Sequence, residues 1–369
     1  MTSTRISTKS IVQAKRSEVF NFCVTELQEV LPLLIDDRSN KLGDNYGRLT
    51  RPVAMFLLAK LMINAEVYCN DDWTSAPTTL GKDMKFIVNG EMKNAWEACI
   101  YYCQEISKSG YKLETCFGSN FSVTNENSDE NIFTIPMNPV LYSNWFIYLF
   151  RSRHCNHGAA LGGSSENGMS ATIELVQAFG YDTDNVDPRF EHTFYAGNVI
   201  ENGKQVYLDD GVTPLIYYPL DVALDVTGTV HEKTAGARYH KYAPDPDANA
   251  DGRACNNDIV LYRYADVLLM QSEAKVRNGE DGTSELSLVR SRVGLPEVEA
   301  TLESILHERY LELAWEGWRR NDMVRFGIFG KGYTDHTPTQ TDMSGASTVF
   351  PIPGDLMTMH PNWIQNPGY

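Results

Sequence analysis

No stretch of this 369-residue sequence approaches the ~20 uninterrupted apolar residues that a membrane-spanning helix needs. The opening, MTSTRISTKS, has no apolar core and does not read as a signal peptide as it stands. Basic residues are in deficit, with 32 Lys and Arg against 48 Asp and Glu and a net charge of −16. A nucleic-acid binder must neutralise phosphates with a basic face, so this balance argues against that class, and against electrostatic docking on anionic lipid. No G-x-S-x-G elbow, Walker loop, dinucleotide fingerprint or H-E-x-x-H occurs. A hydrolase with carboxylates assembled in space stays open, but nothing recommends one. The seven cysteines, Cys23, Cys69, Cys99, Cys103, Cys116, Cys155 and Cys255, form no CxxC and no regular spacing. Their odd number reads as buried free thiols.

The remainder reads as a folded chain, 42% hydrophobic and 22% charged, without a linker that would separate independent domains. Residues 10–34 place Val12, Val19, Phe20, Cys23, Leu27, Val30, Leu31 and Leu34 at spacings of three and four, an amphipathic helix. Thr50 caps a second helix, with Pro52 in its first turn and an Ala/Leu/Met-rich body to Tyr68. Residues 70–90 read as a loop, and a third helix is predicted from about Glu91 to Ser109, closed by Gly110. These are helical hairpins of roughly tetratricopeptide size without a strict repeat. NIFTIPM (131–137) has strand composition, 138–170 is irregular and aromatic-rich, and 171–179 is a short helix. Residues 192–243 look like short strands and turns. Helical periodicity returns from Asn257 or Asp258 to Gly279, then over 284–295, then in one long helix over 301–327. The tail from Ser347 has the Pro/Gly/Asn density of an extended coil wrapping a surface.

Three polar motifs invite chemistry. Glu308, Glu312 and Glu316 share one helical face, but no nitrogen ligands accompany them. With Arg309, Arg319, Arg320 and Arg325 around them, they read as a structural salt-bridge network. His154 and His157, with Cys155 between, could ligate a soft metal, although nothing nearby in sequence completes four ligands and a polar surface loop is the default. DANADGRACNND (247–258) resembles a calcium loop. Asp247, Asn249 and Asp251 take its first three ligand positions, Gly252 the turn, and Asp258 the place of the usual bidentate Glu. Against Ca²⁺ stand the prolines before it, Pro244 and Pro246, and the absence of an entering helix.

The phrases LYRYADVLLMQSEAKVRNG (261–279), LVRSRVGLP (288–296), HERYLELAWEGWRRNDMVRFG (307–327), FPIPGDL (350–356) and HPNWIQNPGY (360–369) resemble the SusD/RagB family in order and distance. GRLTRPVAMFLLAKLMINAEVY (47–68), AWEACIYYCQEISKSGYKL (95–113), ENIFTIP (130–136) and DPRF (187–190) are similar to family segments as well. Members of that family are cell-surface nutrient-binding lipoproteins of Bacteroidetes. They begin with a lipoprotein signal, a lipidated Cys and a further helical region, which this chain does not show; Cys23 lies inside a helix with no lipobox. Where relatives carry a Trp-Asn stretch, this sequence has GGSSENGMS (162–170), so no ligand residues carry over there.

The resemblance implies a mainly α, SusD-like fold: tetratricopeptide-like hairpins over 1–126, an irregular, partly β ligand-binding region over 127–256, and C-terminal helices with a wrapping tail over 257–369. It also implies non-catalytic capture of an oligosaccharide at the outer-membrane surface, by a lipid-anchored protein that needs no cofactor. The glycan would pass to a SusC-like TonB-dependent channel. Capture of peptides, as by RagB-like members, is the alternative; a helical adaptor and a glycoside hydrolase stand further off. Sugar rings stack their C–H faces on flat aromatics while polar neighbours bond the hydroxyls. Trp73 (NDDWTS), Tyr142 and Trp145 (LYSNWF) and Tyr195 (FYAGN) sit in such polar company and are the candidate ligand residues, with Tyr217 and Tyr218 weaker. Trp96, Trp315 and Trp318 fall on predicted helices and read as packing residues.

Overall fold

The computed structural model describes residues 11–141, 152–248, 255–334 and 336–369. Tyr142, Trp145, Asn249 and Asp251 lie outside the described residues. The fold is mainly α. Its helices are α1 (Arg16–Val30), α2 (Arg51–Ile63), α3 (Ala65–Tyr68), α4 (Ala95–Lys108), α5 (Cys155–Ala160), α6 (Ile173–Ala178), α7 (Phe190–Thr193), α8 (Tyr264–Asn278), α9 (Thr283–Arg292), α10 (Leu302–Glu312), α11 (Arg319–Arg325), α12 (Gln340–Met343) and α13 (Gly354–Met359). None is long and apolar enough to cross a membrane, among the described residues.

The apolar periodicity of α1, α2, α4 and α8 closes one core around Phe20, Phe56, Met62, Trp96, Ile106 and Met270. Gly81 lies against this core, where a Cβ would stand 2.2 Å from Trp96 Cζ2. Residues 86–90, predicted as loop, and 91–93, predicted as the start of a helix, instead form a hairpin of β1 (Phe86–Val88) and β2 (Glu91–Lys93). Asn89 and Gly90 both take positive φ, 50° and 80°, as the two-residue turn requires. Helix α4 therefore starts at Ala95 rather than Glu91. Asn94 caps it, accepting from Glu97 N at 2.9 Å while the Glu97 carboxylate accepts from Asn94 N at 2.7 Å.

Strand β3 (Asn131–Ile135) forms where its composition predicts, but its partner lies where periodicity predicts helix: β10 (Ile259–Arg263) pairs with it antiparallel. The helix there begins only at Tyr264, and Gly279 ends it at φ 84°. Between these elements run two-residue strands, β4 (Phe194–Tyr195), β5 (Gly197–Asn198), β6 (Ile200–Glu201), β7 (Lys204–Gln205), β8 (Ile216–Tyr217) and β9 (Arg238–Tyr239), paired as β4–β9, β5–β8 and β6–β7. The tail is not wholly extended, since it turns once as α13.

The predicted long helix over 301–327 is broken. It stops after Glu312 and resumes at Arg319, with Trp315 at φ 67° and Gly317 at φ 81° between. The break changes which cations meet the glutamates. Arg309 pairs with Asp266 and Asp322, Arg325 with Glu273 and Asp322, Arg319 lies over the Tyr310 ring, and Arg320 donates to the carbonyls of Ser347 and Thr348. The glutamates are nonetheless structural. Buried Glu312 meets Arg189, Arg263 and Arg292; Glu308 meets Arg189 and Arg290; Glu316 meets Arg263 and Lys241. Burial opposes the charged form of Glu312, but Arg292, Arg263 and Arg189 outweigh it and hold its carboxyl well below the usual range.

Candidate functional site

The loop after α3 is tied into a rigid bulge by short side-chain bonds. Asp72 accepts from Thr74 Oγ1 and Ser75 Oγ, each at 2.6 Å, and Asn70 Nδ2 donates to the Ser75 carbonyl at 2.9 Å. Asp71 anchors the loop to the first turn of α1, accepting from Ser17 N at 2.9 Å and Ser17 Oγ at 2.8 Å, where a carboxylate also suits the helix dipole. Trp73 sits at the top of this bulge. The Arg16 guanidinium lies 5.3 Å from its ring centroid and donates to the Asn70 carbonyl. On the C-terminal side, a Cβ at Gly345 would stand 2.7 Å from the Trp73 carbonyl oxygen, so only glycine admits this approach.

This arrangement leaves a cleft of about 530 Å³ between the Trp73 loop and the 324–348 segment. Val67, Val324, Phe329 and Met343 supply apolar wall, and Arg16, Asn70, Lys331 and Asp342 supply polar groups. That combination and size fit a small-molecule site. Trp73 and Arg16 also line a second cleft of about 420 Å³, shared with Gln13, Ile364 and Gln365, so the indole is a partition between the two. The Trp73 Nε1 is buried without a hydrogen-bond partner. Ser347 and Thr339 bond the Asp342 carboxylate and hold it ionised, down at about 2.

Tyr195 belongs to a different cluster and shares no contact with Trp73. Its ring stacks on His240 at 4.0 Å and meets the edge of His157 at 4.6 Å, with the Arg153 guanidinium 5.9 Å from its centroid. Burial pushes its phenol up to about 12. Half-buried Tyr195 and Trp73 therefore do not share one platform. Tyr217 is buried, its hydroxyl accepting from His154 N at 2.8 Å, and Tyr218 packs on His231. Trp96 is buried as read; Trp315 and Trp318 lie at the helix break, stacked on Tyr239 at 3.6 Å and under Lys60 at 4.0 Å.

The calcium reading loses its twelfth ligand. Asp258 is buried, its carboxylate taken up by Tyr46 OH, by Thr134 Oγ1 at 2.9 Å and by Met137 N at 2.9 Å. It pins the 43–48 turn to β3, while Asp247 is exposed. The residues that sequence reading missed at the Trp73 cleft are Arg16, Phe329, Lys331 and Asp342. Some 250 positions separate them from Trp73 in the case of Phe329, and only the glycine-flanked aromatic of GIFGKGY hints at a shaped turn.

A sequence profile of the SusD family matches residues 124–369. Starch-binding protein SusD of Bacteroides thetaiotaomicron is 23% identical over 401 residues, covering 97% of this chain and 66% of that protein. The chain thus spans just under two thirds of that relative's length. Among solved structures, a SusD-like protein from Bacteroides fragilis superposes with TM-score 0.69 at 19% identity, over 100% of this chain and 74% of that one. Surface glycan-binding protein A from Bacteroides thetaiotaomicron, in complex with laminarihexaose, gives TM-score 0.64 at 21% identity, over 94% of this chain and 70% of that one.

Proposed function

Since the chain belongs to the SusD family, we propose that it binds an oligosaccharide at the outer-membrane surface without cleaving it and passes it to a SusC-like TonB-dependent channel. The starch-binding and laminarihexaose-bound relatives support the ligand class. The observation that carries the reading in this chain is the Trp73 cleft: an indole on a braced loop, with Asn70, Lys331 and Asp342 around the same space. The indole offers a flat apolar face to a sugar ring.

Titration calorimetry with malto- and laminari-oligosaccharides, run beside a thermal melt, tests this. Trp73→Ala should weaken binding about thirtyfold, ~2 kcal/mol, and leave the melt in place. Full affinity in a folded Trp73→Ala protein would move the site elsewhere, and Trp145→Ala checks the sequence-based expectation for that residue in the same assay. Reducing-sugar release that one Asp or Glu substitution removes would overturn the non-catalytic reading.

A further inference from the structure

Helix α5 opens with His154 as its N-cap, the ring Nδ1 accepting from Asn156 N at 3.1 Å. The Cys155 thiol sulfur lies 3.7 Å from that nitrogen and is exposed to solvent. A turn from a different part of the chain closes over this point. Asn156 Nδ2 donates to the Tyr207 carbonyl at 2.9 Å and to Asp209 Oδ1 at 3.1 Å, clamping the 207–213 turn to α5. The turn is itself rigid, since Asp210 accepts from Val212 N, Thr213 N and Thr213 Oγ1. As a result one imidazole nitrogen, one thiol and one carboxylate oxygen, from His154, Cys155 and Asp209, lie within 4.8 Å of one another.

We propose that His154, Cys155 and Asp209 bind a divalent transition-metal ion, with Zn²⁺ the best match to their donors. A tetrahedral ion with ligand bonds of about 2.0–2.3 Å needs donors about 3.3–3.8 Å apart, so closure takes only a small rotation of the exposed Cys155 and Asp209 side chains. An N, S, O set favours a borderline-soft cation and disfavours Ca²⁺, which asks for six to eight oxygens. Three protein donors leave the fourth position open to water. The Nδ1 lone pair that faces the thiol is the one that accepts from Asn156 N, so binding exchanges that N–H contact for the metal bond. Binding exchanges the thiol proton, released to solvent, for the metal bond. One cation already attends the carboxylate: Lys233 Nζ lies 2.5 Å from Asp209 Oδ2, on a half-exposed side chain that solvent can receive. His157, although close in sequence, is enclosed by Tyr217 and Glu201 and takes no part.

The test uses the full chain stripped of metal, titrated with ZnCl₂ by calorimetry and with CoCl₂ by absorption. The expected result is one saturable Zn²⁺ per chain and a thiolate-to-cobalt charge-transfer band. Cys155→Ser should abolish the band, Cys155→Ser and Asp209→Asn should each weaken Zn²⁺ at least about tenfold, and Cys116→Ser should change neither. Lys233→Gln should tighten binding by removing the competing ammonium, a gain that misfolding cannot mimic. Absence of saturable binding, or binding unchanged in both Cys155→Ser and Asp209→Asn, overturns the site.

Discussion

His157 is enclosed completely, with the Tyr217 hydroxyl 3.0 Å from Nδ1 and the Glu201 carboxylate 2.8 Å from Nε2. Burial pushes its pKa down to about 3, from an ordinary value near 6.5. Below pH 6.5 the unfolded chain therefore takes up a proton that the folded chain refuses, and stability falls as pH falls toward 3. His154, His240 and His307 are lowered by burial as well and act with the same sign. Burial raises the Glu201 carboxyl, which acts with the opposite sign, but near pH 4.5. Between pH 6.5 and 5 the histidines dominate, at up to about 1.4 kcal/mol per pH unit for each proton. Melting temperature should drop over that window, and His157→Gln should flatten the drop; a melt indifferent to pH from 7 to 5 would contradict the burial argument. Gly81 makes a separate demand, because an added methyl would stand inside the van der Waals radius of a buried indole. Gly81→Ala should cost about 1–3 kcal/mol in denaturant unfolding, while Gly90→Ala, with open space around it, tests only the cost of positive φ.

The break between α10 and α11 is the element that hydrophobic spacing misread. Counting periodicity through LELAWEGWRR gives an unbroken helix, because apolar residues continue at three and four. What stops the helix is tertiary: Lys241 Nζ takes the carbonyls of Glu312 and Ala314 at 2.9 and 2.7 Å, the carbonyls a continuing helix would use. That competitor lies 71 residues away and has no local signature. The start of α8 departs from the periodicity for the same reason, since β3 recruits Ile259–Arg263 into a strand. By contrast Asn94 with Glu97, and Asn89 with Gly90, carry their geometry in two to four adjacent letters. Arg320 illustrates the consequence for charge. It touches tail carbonyls and the rings of Phe329 and Phe350 rather than the glutamates. Glu312→Ala takes a shared carboxylate from three buried guanidiniums, Arg189, Arg263 and Arg292, and should cost about 3–5 kcal/mol in chemical denaturation. Arg320→Ala should cost less and chiefly loosen the tail, seen as earlier proteolysis after Gly345. Equal losses for the two would return Arg320 to the ion network.

The chain as a whole buries an ion network beside its apolar core. Among the described residues, Arg189, Arg263, Arg290, Arg292 and Lys241 face Asp187, Glu130, Glu308, Glu312 and Glu316, five against five, most of them sealed from water. The family and its helical plan were legible because they are written in long phrases of the C-terminal third. The cleft was legible only through Trp73, because its opposite wall arrives from residues 324–348. The metal-ligand triad was half legible, as His154 and Cys155 without Asp209. The ion network has one more consequence, in time. Glu130 and Arg292 are 162 residues apart, and none of these ions can be desolvated safely before its partner arrives. Helices α2 and α4 can form early, but the charged core has to close late and nearly at once. Refolding should therefore be slow for a helical protein and faster in moderate salt, which screens unpaired ions in the collapsed chain. Glu312→Gln should speed unfolding far more than it slows refolding, because the contact it weakens is made after the barrier.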